Sequence, residues 1–130
     1  MGTRVEEIMT PDPVTLAPTA TVREAYALMT ERGFRHVPVV ENGVLVGLVS
    51  LTDIGRQGAR VPEILSKAIR DVMSTKLLTV KPDEAVEVAA ATMATRKVNC
   101  LLVVGDNKLA GVVTTYDLLD ALARTLRGQA

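Results

Sequence analysis

Two seven-residue stretches hold the residue types in this sequence that could bind or transform a ligand. They are Gly47-Leu48-Val49-Ser50-Leu51-Thr52-Asp53 and Gly111-Val112-Val113-Thr114-Thr115-Tyr116-Asp117. Each is an apolar run ending in a hydroxyl, with a carboxylate three residues later. Where such a hydroxyl opens a helix, free N–H groups and the positive end of the helix dipole favour an anion, and the hydroxyl adds a donor. A carboxylate one turn on can accept two hydrogen bonds from a vicinal diol such as a ribose. Phosphate and ribose lie close enough in a nucleotide for one helix start to hold both. The same spacing is a capping box, on which Ser50 and Thr114 would only satisfy amides of their own helices. Capping boxes favour Glu or Gln at the third position, whereas both stretches carry Asp.

The elements that must position these residues follow from an internal repeat. Shifted by 64 positions, residues 5–54 align with 69–118 without a gap, and 14 of the 50 pairs are identical, among them Met9/Met73, Pro18/Pro82, Met29/Met93, Gly47/Gly111 and Asp53/Asp117. Pro13–Leu16 reads as a short strand closed by Pro18. Thr21-Val22-Arg23-Glu24 has capping-box spacing, and Val22, Ala25, Tyr26 and Met29 form one apolar helical face ending near Gly33. His36–Val40 and Val44–Val49 are strands joined by Asn42-Gly43, a pair suited to a type I′ turn. A helix over Leu51–Gln57 follows. The second copy repeats this with strands over Leu78–Val80, Leu101–Val104 and Lys108–Val113, and helices over Glu84–Arg96 and Thr115–Arg127. Gly58–Ser66 is connector, and Ile69–Met73 matches Val5–Met9 as a short helical turn. The fold class is α/β (α+β): two β-α-β-β-α units, residues 1–64 with the connector and 65–130, packed with pseudo-twofold symmetry. A unit of about 60 residues buries too little surface to stand comfortably alone.

This layout is similar to that of cystathionine-β-synthase (CBS) domains. The likeness is carried by the Met-Thr or Met-Ser near each repeat's start, the Val-Thr-Leu-x-Pro and Leu-Thr-Val-x-Pro strands, and Arg35-His36-Val37-Pro38-Val39. Two copies in tandem resemble a CBS pair, or Bateman module, over nearly the whole chain. The resemblance implies a non-catalytic regulatory module with no required cofactor, binding AMP, ADP, ATP, S-adenosylmethionine or NAD in two clefts between the repeats. It implies that Ser50/Asp53 and Thr114/Asp117 hold phosphate and ribose, and that the strands around Thr15 and Thr79 frame the adenine. It also implies composite clefts, Asp117 and Thr114 sharing one with Arg35 and His36, and Asp53 and Ser50 facing Asn99 and Cys100. The first cleft would then prefer phosphorylated ligands, and Asp117→Ala would weaken AMP binding more than Asp53→Ala.

Other residues read more plainly. Cys100 is a small strand hydrophobe, and the paired methionines are core or interface filler. Four amphipathic helices leave more apolar surface than 130 residues cover, so a homodimer is expected, with Ala89, Ala90 and Met93 near its seam. Aromatic residues make up 2% of the chain, too few for nucleic-acid stacking platforms. Fifteen basic residues balance fifteen acidic ones, with no basic block for a nucleic-acid backbone. No apolar run reaches the ~20 residues that span a bilayer, and a cytoplasmic protein is expected. One Cys and one His cannot build a disulfide framework or a Cys/His zinc site. No pattern pairs a nucleophile with a base, and the Rossmann and P-loop glycine fingerprints are absent. A scaffold for dimerisation or partner docking is the alternative function, with a small nucleotide-consuming enzyme a third. Any output would pass through a separate effector protein.

Overall fold

In the computed structural model, which describes residues 2–128, both copies of the repeat form the expected long helices and hairpins, with local differences between them in the short elements. The first helix, α1, covers Val5–Ile8 and leads into a two-residue strand β1, Thr10–Pro11. Helix α2 (Val22–Arg32) starts at Thr21, whose hydroxyl accepts from the Glu24 N–H at 3.1 Å while the Glu24 carboxylate accepts from the Thr21 N–H at 3.3 Å. It stops at Gly33, which takes the left-handed φ of 75° that a glycine adopts at little cost. Strands β2 (His36–Glu41) and β3 (Val44–Ser50) form a hairpin, followed by α3 (Leu51–Gly58). After two 3₁₀ turns at Ile64–Ser66 and Ile69–Asp71, the second copy gives β4 (Thr79–Val80), α4 (Val86–Arg96), β5 (Cys100–Gly105), β6 (Lys108–Thr114) and α5 (Thr115–Leu126). Both hairpin turns have two central residues at positive φ, Asn42 (52°) with Gly43 (79°) and Asp106 (52°) with Asn107 (63°), as a type I′ turn requires.

The expected strand over Pro13–Leu16 is a correction. It reduces to one parallel bridge, Leu16 to Val39, closed by the Leu16 N–H donating to Pro38 O and the Val40 N–H donating to Leu16 O. Prolines at 13 and 18 bracket the segment and cannot donate to a ladder. In the second copy the equivalent pairing extends to Thr79 with Leu102 and Val80 with Val103.

The chain folds as two compact units whose limits differ from those of the sequence repeats. One comprises residues 2–13 with 78–128, and the other Val14–Leu77. The first has a four-stranded sheet in the order β1-β6-β5-β4, with β1 antiparallel to β6 and β4 parallel to β5. Its core is Val5, Val80, Ala89, Met93, Leu101, Val103 and Val113. The second is built on the β2–β3 hairpin, extended by bridges at Leu16 and Ser74, over a core that includes Val22, Ala25, Met29, Val37, Val39, Val49 and Ile54. The opening segment of each repeat thus pairs with the third strand of the other copy: Thr10 lies opposite Val112, and Ser74 opposite Leu48.

The repeated glycines explain how those segments approach so closely. A Cβ on Gly111 would sit 2.6 Å from Met9 Sδ and 2.7 Å from the Thr10 carbonyl oxygen. A Cβ on Gly47 would collide with Met73 Sδ, with Met73 Cγ at 2.9 Å and the Ser74 carbonyl oxygen at 3.2 Å. The four matched residues form one packing device made twice: a thioether laid on a strand stripped of its side chain.

Two further expectations are corrected by burial. Tyr26 is 45% exposed although Val22, Ala25 and Met29 on the same helix are buried. The apolar face of α2 is therefore narrower than its pattern suggests. Ala89 and Met93 belong to their own unit's core at 0% and 4% exposure, so they are not free to line a dimer seam. Of the exposed large apolar residues, Tyr116, Leu119, Leu122 and Leu126 gather on α5, whereas Tyr26, Val44 and Val88 stand singly on other elements.

The glycine contacts predict unequal costs. At Gly111 the obstacle includes backbone, which cannot swing aside, whereas at Gly47 it is chiefly a flexible side chain. Gly111→Ala should lower the unfolding free energy by about 3 kcal/mol and Gly47→Ala by about 1 kcal/mol, the upper and lower ends of overpacking costs. Urea denaturation of the two variants measures the difference; equal costs would refute the assignment.

Candidate functional site

Each hydroxyl–carboxylate pair stands where an antiparallel strand runs into a helix. Ser50 ends β3 and caps α3, its hydroxyl accepting from the Asp53 N–H at 3.0 Å. Thr114 ends β6 and caps α5, accepting from the Asp117 N–H at 3.3 Å. The capping role is therefore real in both copies. The first amide of each helix is also taken: the Leu51 N–H donates to the Arg35 carbonyl at 2.9 Å, and the Thr115 N–H to the Asn99 carbonyl at 3.1 Å. Neither bond uses the second amide, at Thr52 or Tyr116. Each helix start thus offers fewer free donors than an uncapped terminus would.

The carboxylates differ. Asp117 completes a reciprocal capping box: Oδ2 accepts from the Thr114 N–H at 2.8 Å and from the Thr114 hydroxyl at 3.2 Å. Its Oδ1 accepts from the Thr10 hydroxyl at 3.4 Å, bringing in the opening segment of the chain. Asp53 makes no such box and faces Arg56, one turn along α3, at 3.4 Å. Asp53 is about one-third exposed and Arg56 about two-thirds, so the pair is weak and easily opened.

Strand register fixes the neighbours. His36 lies directly opposite Ser50, and Cys100 directly opposite Thr114. Arg35 and His36 therefore stand beside Ser50 and Asp53 within one unit. Asn99 and Cys100 stand beside Thr114 and Asp117 within the other, where the Thr115 hydroxyl donates to Asn99 Oδ1 at 3.3 Å. Arg35 is exposed and His36 half-buried. Burial holds His36 below its ordinary value of 6.5; the Arg35 charge adds to this, and Asp53 opposes it. Cys100 is buried, and that burial, helped by the nearby Asp117, pushes its thiol up to about 12. It is a protonated thiol near neutrality, in keeping with its reading as a strand hydrophobe. Thr15 and Thr79 are both exposed, one beside the Leu16 bridge and the other in β4.

Two contacts had no place in the sequence reading. Arg56 was visible in principle, three residues from Asp53 on a helix. Thr10 stands in the sequence only as part of the Met-Thr at the repeat's start, and no local pattern links it to a residue 107 positions away. The charges around the two sites are dissimilar. Arg56 of the first copy aligns with Asp120 of the second, which pairs with Arg124. Among the described residues no cluster of His, Cys, Asp and Glu could hold a metal ion, and no helix is long and apolar enough to cross a membrane.

Comparison with known proteins gives these features a family. The CBS domain family model matches residues 5–57 and again 69–124. A CBS domain-containing protein, YhcV of Bacillus subtilis, is 33% identical over 114 residues, covering 88% of this chain and 81% of that protein. Other curated relatives are longer, and the chain spans only 23% to 47% of several of them, including homoserine O-acetyltransferase of Methanococcoides burtonii. Among solved structures, the CBS domain pair of protein MJ0100, in complex with 5-methylthioadenosine and S-adenosyl-L-methionine, superposes with a TM-score of 0.86. It is 25% identical, over 96% of this chain and 99% of that one. CBSX2 in complex with AMP gives a TM-score of 0.82 at 27% identity, over 96% and 99% of the two chains. The duplicated strand-to-helix junctions, the matched segments and the shared fold establish that the chain belongs to the CBS domain family and carries two CBS domains in tandem.

Proposed function

We propose that this CBS pair is a non-catalytic sensor that binds an adenosine-containing ligand through the helix starts at Ser50/Asp53 and Thr114/Asp117, in the cytoplasm. One observation carries the reading: both copies put a hydroxyl and an aspartate at the same strand-to-helix junction. Relatives of the same fold crystallised with AMP, 5-methylthioadenosine or S-adenosyl-L-methionine support adenosine as the common element. Asp53 and Asp117 hold the ribose diol, the amides of Thr52 and Tyr116 and the cap hydroxyls receive the anionic part, and Thr15 and Thr79 flank the base. Arg35 and His36 supply cations for a phosphate, whereas Asn99 and Cys100 supply none, so the two sites prefer different ligands. A second copy of the chain packs on the uncovered face of α5, and the signal passes to a separate effector protein.

Calorimetry with AMP and 5-methylthioadenosine tests the ligand reading. Arg35→Ala should weaken AMP roughly ten- to a hundredfold, the worth of a hydrogen bond to a charged group, and leave methylthioadenosine nearly unchanged. The double variant Asp53→Ala/Asp117→Ala should lose both ligands. The family resemblance groups Asp117 with Arg35 and His36 on one ligand, and on that grouping Asp117→Ala should cost more for AMP than Asp53→Ala; equal losses would remove the inequality of the sites. Absence of AMP and methylthioadenosine binding to the wild type at millimolar concentration would favour the scaffold function instead.

His36 is the sole histidine, so pH isolates its contribution. Because its folded value lies below 6.5, the unfolded chain binds more protons in that interval. The stability it contributes is fully present above pH 6.5 and is lost as the pH falls through its folded value. Between pH 7.5 and 5.5 the wild type should lose stability that His36→Gln does not; parallel profiles would contradict this.

For assembly, sedimentation velocity at micromolar concentration should show a dimer that Leu119→Glu or Leu126→Glu converts to monomer. A monomeric wild type would end that part of the proposal.

A further inference from the structure

The described methionines fall into two pairs of opposite accessibility. Met29 and Met93 are 1% and 4% exposed, within the two cores. Met9 and Met73 are half-buried, with their thioethers against Gly111 and Gly47, where each opening segment meets a sheet. We infer that Met9 and Met73 are the sites at which a peroxide modifies this protein, and that their conversion to sulfoxides loosens the opening segments from the sheets they complete.

The chemistry needs only a peroxide as oxidant. The thioether sulfur attacks one peroxide oxygen, the O–O bond breaks and an S–O bond forms. With hydrogen peroxide, the sulfur loses two electrons, the proton of the transferred OH passes to the departing oxygen, and water leaves. The product is a polar, pyramidal sulfoxide in place of a flexible apolar chain. The new oxygen stays on the side from which the peroxide reached the sulfur, but the sulfoxide is polar and pyramidal and no longer fits the close contact that the thioether makes over each glycine. The side chain then withdraws toward water and carries its segment with it. Met29 and Met93 are shielded by burial. Cys100 is buried and protonated near neutrality, and a thiol is a far weaker nucleophile than a thiolate. The lesion is also reversible, since methionine sulfoxide is a substrate for dedicated reductases. The partial exposure of Met9 and Met73 opens them to a small oxidant, and the glycine contact makes the position intolerant of the product.

The test is hydrogen peroxide treatment of the intact chain followed by tryptic mass mapping over time. Trypsin leaves Met9, Met29, Met73, Met93 and Cys100 in separate peptides. Sulfoxide should accumulate at Met9 and Met73 at least about tenfold faster than at Met29 and Met93, with Cys100 unmodified. The oxidised protein should melt roughly 5 °C or more below the untreated one. A Met9→Leu/Met73→Leu variant should show no such shift under the same treatment. Equal oxidation of Met9, Met29, Met73 and Met93, or complete oxidation at Met9 and Met73 with unchanged melting, would overturn the proposal. Both of those readings come from the wild type and stand however the variant folds.

Discussion

The close approach of Met9 to Gly111 and of Met73 to Gly47 is the constraint on which the rest of this structure depends. A sheet edge exposes unpaired N–H and C=O groups that must be covered. Here β3 and β6 are covered by the opening segment of the other repeat, and that segment can lie flat only because the strand residue beneath it has no Cβ. The duplication is thereby made interdependent: each unit needs about ten residues that the other repeat begins with. The same strands then run directly into α3 and α5, so the pairing that closes the edges also sets the height of Ser50 and Thr114. Fold and candidate site share one mechanical element.

At the helix starts, stability and recognition draw on the same atoms. Ser50 and Thr114 accept from amides of their own helices, and Arg35 and Asn99, just before the neighbouring strands β2 and β5, supply carbonyls for the first amides. Asp117 is drawn into this arrangement and bonded to Thr10, while Asp53 is left facing the exposed Arg56. A ligand that recruits Asp117 must therefore exchange hydrogen bonds that hold a cap and an opening segment. A ligand recruiting Asp53 displaces only a weak surface ion pair. Two copies of one sequence pattern have diverged in what binding there would disturb.

Much of this was legible in the sequence because it is local. The Asn42-Gly43 turn, the Thr21–Glu24 box and the Gly33 stop each depend on residues a few positions apart, and each appears where expected. Contacts across long sequence separations left no such trace. The pairing of Thr10 with Val112 and the Thr10–Asp117 bond join residues more than a hundred positions apart, and the pairing of Ser74 with Leu48 joins two different repeats. Matched identities signalled that Met9, Met73, Gly47 and Gly111 mattered without showing that they touch. The alanines of α4 misled for a related reason. Small side chains permit close packing but do not say against what, and Ala89 turned inward to its own core while α5 kept the open apolar face.

The interdependence of the repeats is tested most directly by a double-mutant cycle on Met73 and Gly47, read by chemical denaturation. If the thioether resting on the bare strand is the contact that matters, Gly47→Ala should destabilise the wild type yet cost far less once Met73→Ala has vacated the space. The coupling between the two substitutions should then reach about 1 kcal/mol or more, as for residues in direct contact. Additivity to within about 0.5 kcal/mol, the behaviour of independent sites, would contradict the account.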